Sequence, residues 1–151
     1  MIIPDRRYCI DFFGHETSTG EVLDAFLEKR LRPSRSQIFD YIANAVKCDE
    51  KIAWSAETRG SMQLIHSFTQ AREMSESAGL SPEYIDVHAW RFTPASFRLI
   101  ISDLQKLGLI AMGISLEFDT SGCEFYVTME RGKVGRTENR LQRLSKIRNP
   151  A

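Results

Sequence analysis

Cysteine is scarce in this chain of 151 residues, and the three cysteines that occur, Cys9, Cys48 and Cys123, lie far apart. Their number and spacing disfavour both a disulfide framework and a CxxC zinc site. The three histidines are equally isolated, with no HxH or HxxxH spacing, so the sequence predicts no metal site. Because a few unpaired thiols are typical of proteins in reducing compartments, we expect a cytoplasmic protein.

Long apolar runs and glycine-rich loops are missing too. No stretch approaches the roughly 18 apolar residues that a membrane span requires, and the N-terminal MIIPDRRY lacks the apolar segment of a signal peptide. The chain has no GxSxG nucleophile motif, no P-loop and no glycine-rich loop after a predicted strand. It therefore offers no recognisable device for binding a nucleotide, and we predict no cofactor-binding residue.

The formal net charge is zero, but the charges are distributed unevenly. Seven of the 20 basic residues lie between Arg131 and Arg148, a stretch with a single acidic residue, Glu138. We expect residues 133–151 to form a flexible basic tail, since chain termini are often loose. The alternatives are a contact with an acidic partner, an anionic membrane surface or nucleic acid, of which nucleic acid is disfavoured, or a helix packed on the body.

Helix starts are marked clearly. Ser18 to Glu21 and Ser34 to Gln37 fit capping boxes, each followed by an apolar stripe at helical spacing. Thr93 and Pro94 suit the N-cap and first position of a helix that stops at Gly108. A third helix is indicated by an apolar pattern beginning at Leu64 and ending near Gly79.

After Gly108 the apolar period changes from helical spacing to strict alternation. Apolar residues recur at every second position of 110–118 and of 125–129, on either side of a short loop. This pattern predicts an antiparallel hairpin with one buried face. The first residues form only a strand stub that ends at Pro4. The polar segment 47–60 is predicted to be a loop in which Trp54 is either an anchor, the role we favour, or a face on which a substrate stacks. A stub and a two-stranded hairpin are marginal alone, so they resemble pieces of a larger sheet.

Candidate ligand-binding side chains cluster in two places, directly after the stub and just before the helix that begins at Pro94. They are Asp5, Arg6, Arg7, Tyr8, Asp11 and His15 in the first cluster and His88 and Trp90 in the second. Loops that follow strand ends often bind ligands in open α/β sheets. Alternatively, the charged residues pair on the surface and Tyr8 anchors the loop. For His88 and Trp90 we favour a structural hydrogen bond and a place in the core.

Three segments carry a family resemblance: IPDRRYCIDFF at 3–13, HAWRFTPASFRLIISDLQKLGLI at 88–110 and EFYVTMERG at 124–132. Together they resemble the C-terminal half of bacterial class I S-adenosylmethionine-dependent methyltransferases, Rossmann-like enzymes often encoded with surface-polysaccharide genes. The resemblance runs from Met1 to about residue 132, which leaves only the basic tail outside it.

The resemblance implies an α/β fold, or α+β in isolation, built on a partial Rossmann-like sheet. Residues 2–4 would end the strand that follows the cofactor-binding half, and a helical insertion at about 17–85 would cover the substrate side. Residues 109–131 would supply the two final strands, the last of them antiparallel. We therefore expect one methyltransferase-like domain over 1–132.

The family's glycine-rich loop and acidic residue for S-adenosylmethionine do not occur here. The resemblance thus implies a truncated, substrate-side half that binds this cofactor only where the missing half is supplied. It would be inactive alone or completed by another chain, with a small molecule or glycan as substrate. The alternative is a non-catalytic module that self-associates as a homo-oligomer and uses its basic tail for an acidic partner.

Overall fold

A computed structural model describes residues 1–78, 80, 83–133 and 139–148 as a mixture of helices and antiparallel sheets. The elements are β1 (Ile2–Pro4), a 3₁₀ helix (Arg6–Tyr8), α1 (Thr19–Leu27), α2 (Arg35–Asn44), β2 (Val46–Cys48), β3 (Met62–Leu64), α3 (Phe68–Ser77), α4 (Pro94–Lys106), β4 (Met112–Ser121), β5 (Glu124–Arg131) and α5 (Arg140–Arg148). The expected α+β character is confirmed. None of the described helices is long and apolar enough to cross a membrane.

The predicted helix starts are confirmed. They could be predicted from the sequence because each capping contact joins residues only three positions apart. Ser18, Ser34 and Thr93 each accept a hydrogen bond from a backbone N–H three residues on, and the residue in that position bonds back to the cap. Pro94 occupies the first position of α4, where its missing N–H is not needed.

The start of the third helix was predicted wrongly. Ser67 and Gln70 form a further capping box, so α3 begins only at Phe68. The residues before it form β3, which pairs antiparallel with β2. Between these strands Trp54 is only 9% exposed and packs with Val46 and Cys48, which confirms the anchored loop but adds a small sheet that was not predicted.

The other sheet has three strands in the order β1-β5-β4, so the stub and the hairpin belong together. β5 is antiparallel to both neighbours, and β1 and β4 therefore run in the same direction. One face of this sheet packs on α4, where Ile3, Phe97, Phe125 and Val127 form the core. The hairpin turn includes Gly122 with a φ of 63°, a conformation that favours glycine.

The predicted buried face of β4 is wrong in its second half. The pairing with β5 shifts by one residue between Ile114 and Leu116, and such a bulge moves every later side chain to the opposite face. Phe118 consequently lies opposite Tyr126, on the face away from α4, and is 59% exposed. Ile2 is also opposite Tyr126, so this second face carries a row of apolar side chains.

Part of the expected flexible tail is instead the helix α5, which packs against α4. Arg140 Nε lies 3.1 Å from Asp103 Oδ1, and Arg143 Nη1 donates to the carbonyl of Arg98. Residues 134–138 and 149–151 of the tail lie outside the described residues. For residues 140–148, the structure therefore supports the alternative interpretation of the tail as a helix packed on the rest of the chain.

Candidate functional site

A cleft of about 1310 Å³ opens where β1 and β4 end. Residues 6–8 follow β1, residues 119–122 end β4 and form its turn, and Thr93 to Ala95 begin α4; all of them line the cleft. Because β1 and β4 run in the same direction, both direct their carboxyl ends into this space. Ligands of open α/β sheets bind at such an edge.

Half of the eight sequence candidates meet in this cleft. Arg6, Arg7, Tyr8 and His15 line it, as the position after the strand stub indicated. The structure therefore brings together most of the first candidate cluster, while His88 and Trp90 line a different pocket.

Asp5 lies beneath the cleft and does not face it. Its side chain is fully buried, and it accepts hydrogen bonds from Arg7 Nε at 2.9 Å, from Arg7 Nη2 at 2.7 Å and from Thr120 Oγ1 at 2.6 Å. The bond to Asp5 raises the pKa of the Arg7 guanidinium, which keeps its charge in any case. Asp5 thus positions Arg7 and ties the end of β1 to the end of β4.

The charges of the cleft are mixed. Arg6 donates from Nη2 to the carbonyl of Phe12 at 2.6 Å, whereas its Nε is buried and has no hydrogen-bond partner among the residues that the structure describes. The basic side chains that line the cleft are balanced by acidic ones. The basic ones are Arg6, Arg7, Arg98 and Lys146, and the acidic ones are Glu16, Glu57 and Asp119. This balance suits a polar ligand with several hydrogen-bonding groups better than a polyanion.

Comparisons with protein-family models, with curated proteins and with solved structures found no match.

Asp11 and His88 form a second polar centre. Asp11 is buried, and its Oδ2 lies 2.6 Å from Nδ1 of His88, a residue 77 positions away in the chain. The same carboxylate approaches Cys9 Sγ at 3.8 Å and Arg91 Nε at 3.8 Å. The hydrogen bond to Asp11 raises the pKa of His88. His88 therefore makes the structural hydrogen bond that we favoured, but its side chain is 46% exposed.

Trp90 does not lie in the core as favoured, since it is 40% exposed. Together with His88 it lines a pocket of about 400 Å³. Residues two apart in an extended segment point to the same side, so this shared pocket follows from their spacing. Trp54 is the buried tryptophan of the chain.

Several contributors were not recognisable in the sequence. Arg91 is buried beside Asp11, and Gly14 leaves it room, because a Cβ on Gly14 would lie 2.7 Å from Arg91 Cδ. Thr120 holds Asp5 across 115 residues. No local signal marks such contacts. Within the described residues no cluster of three metal-ligating side chains occurs.

Proposed function

We propose that this chain is the substrate-side portion of an S-adenosylmethionine-dependent methyltransferase, with the methyl acceptor bound in the cleft at the ends of β1 and β4. The observation that carries the proposal is the three-stranded sheet. Two strands that run in the same direction flank an antiparallel last strand, and the cleft opens at their carboxyl ends. An antiparallel last strand is what the sequence resemblance implies.

The sheet is also open in a way that suits a complementing portion. Just past β1, Asp5 forms a parallel bridge with Phe92, and the Arg6 N–H donates to the Phe92 carbonyl. The outer edge of β1 is without a strand partner among the described residues only around Ile2, whose side chain is exposed. On the face away from α4, Leu116 and Phe118 are exposed as well. Unpaired edges accept further strands, and large apolar patches mark contacts. A segment that adds a strand beside β1 and a helix over this face would cover both.

The chain's own residues do not fit the cofactor. The segment after β1 contains no glycine and forms the 3₁₀ helix, whose first turn is already capped by Asp5. At the start of α4, the side chains of Thr93 and Ser96 cap each other's backbone N–H. S-adenosylmethionine would supply the methyl group from the complementing portion. This chain would bind the acceptor, orient it through Arg7 and Tyr8, and exclude water.

The first test is complementation in trans. The chain is mixed with the cofactor-binding half of a methyltransferase of the resembled group, and association is followed by light scattering and cofactor binding by calorimetry. We expect a one-to-one complex that binds S-adenosylmethionine and transfers labelled methyl groups to small molecules or glycans. The chain alone should show no binding of the cofactor.

A matched pair of variants locates the contact. Ile2→Lys places a charge on the open edge and should weaken the complex by about tenfold or more. Leu141→Lys changes an apolar residue on α5 that is exposed to a similar degree and should have no effect. Stoichiometric, micromolar binding of S-adenosylmethionine by the chain alone would contradict the proposal, and so would the absence of any complex.

The open edge also favours self-association as a second function. A second copy of the chain can pair beside Ile2 in place of the complementing portion, because at this position the outer edge of β1 has no strand partner among the described residues and the Ile2 side chain is exposed.

A further inference from the structure

The pocket beside His88 and Trp90 has features of a ligand site in its own right. Its volume of about 400 Å³ lies within the range typical of small-molecule pockets. Residues 30–33 form one wall and residues 87–90 another, and Pro4 of β1 also lines it. None of its described lining residues also lines the cleft, so it is a separate site.

The charge of this pocket has one sign. Arg30, Arg32 and His88 line it, and the described part of the lining includes no acidic side chain. Arg30 is already paired with Glu28, whereas Arg32 is exposed and forms no ion pair with a described residue. In contrast to the mixed cleft, this pocket therefore offers unneutralised positive charge.

His88 is held so that one ring nitrogen remains for a ligand. Asp11 occupies Nδ1, and no described residue hydrogen-bonds to Nε2. Asp11 and the exposed Asp86 raise the pKa of His88, while burial and Arg91 lower it, with the net shift upward. The ring of Tyr41, 5.4 Å away, packs beside it. The protonated imidazole would present an Nε2–H donor in the pocket that Arg32 also lines.

The pocket also has flat, apolar walls. Trp90 and Tyr84 expose aromatic rings, and Leu31 is largely exposed. Exposed aromatic side chains beside a few polar groups are typical of sites that bind a planar or ring-shaped ligand.

We propose that this pocket binds a small organic anion, a phosphate or carboxylate joined to a flat apolar group, with the anion at His88 and Arg32 and the flat group on Trp90. The inference goes beyond the proposed methyltransferase role and does not depend on it.

The test uses the two tryptophans as internal reporters in a ¹H–¹⁵N NMR titration of the full chain. The probes are phenyl phosphate and benzoate, with inorganic phosphate and phenol to separate the two halves of the ligand. We expect the organic anions to shift the indole N–H signal of Trp90 and leave that of buried Trp54 unchanged. Phenyl phosphate should bind about tenfold more tightly than either of its halves, inorganic phosphate and phenol, and the tighter of the two organic anions identifies phosphate or carboxylate as the preferred group.

Two variants test the role of His88. His88→Gln should weaken binding by about tenfold, because the charged donor is lost. It should also abolish the pH dependence of benzoate binding near neutral pH, where the benzoate carboxylate itself stays ionised. His66→Gln, outside the pocket, is the matched control and should bind like the natural chain. Asp11→Asn should move the pH dependence to lower pH, since the partner that favours the imidazolium is gone. An unchanged Trp54 signal verifies folding in each variant.

The proposal is overturned if no probe shifts the Trp90 signal up to about 10 mM, a concentration that detects even millimolar affinities. It is equally overturned if His88→Gln and Arg32→Gln both bind the organic anions as the natural chain does.

Discussion

The bulge in β4 can be tested with two phenylalanines of the same hairpin. Strict alternation along the sequence places both Phe118 and Phe125 on the buried face. In the structure Phe125 is 0% exposed, with its ring 5.9 Å from that of Phe97, whereas Phe118 is 59% exposed on the other face. Phe125→Ala should lower the free energy of unfolding by about 3 to 5 kcal/mol, the range for a buried phenylalanine. Phe118→Ala should cost less than about 1 kcal/mol.

Urea denaturation followed by circular dichroism measures both losses. With a slope of roughly 2 kcal/mol per molar urea, the midpoint should fall by about 1.5 to 2.5 M for Phe125→Ala and by less than about 0.5 M for Phe118→Ala. Dilute protein keeps association from contributing to the Phe118 result. If Phe125→Ala fails to fold, Phe125→Leu leaves a smaller cavity and should show an intermediate loss. Equal losses for alanine at the two positions would refute the bulge and the exposed second face.

Three further outcomes are expected. Trp90→Ala should cost under about 1 kcal/mol and Trp54→Ala about 3 to 5 kcal/mol in the same denaturation assay, because only Trp54 is buried; a large loss at Trp90 would return its ring to the core. Because the pKa of His88 is raised in the folded protein, its pairing with Asp11 stabilises the fold fully below the unfolded pKa of about 6.5 and less as the pH rises through the folded value. Asp11→Asn should therefore lower the free energy of unfolding more at about pH 6 than at about pH 9. A loss that does not depend on pH would contradict the pairing. Light scattering at micromolar concentration should show that the chain is a homodimer and that Ile2→Lys converts it to a monomer. If the unsubstituted chain is already a monomer, the edge of β1 is not a dimer contact.

Local sequence determined where the helices begin. At Ser18, Ser34 and Thr93 the capping side chain and its backbone partner are three residues apart, so the information lies within one turn. The hairpin could be predicted for a similar reason, because apolar alternation on both sides of a glycine turn indicates two strands that are adjacent in the chain. The position after a strand end also placed Arg6, Arg7, Tyr8 and His15 at the cleft.

The tertiary structure alone decided the remainder. A single extra residue between Ile114 and Leu116 reverses the face of Phe118 without changing the apolar pattern, because the alternation continues while the pairing shifts. Asp11 and His88 lie 77 positions apart and meet at 2.6 Å, a contact that depends on how the loop after β1 packs against the segment before α4. Which faces of a sheet are covered, and which side chains meet beneath a pocket, depends on packing between distant segments, whereas the sequence pattern reports only on neighbours along the chain.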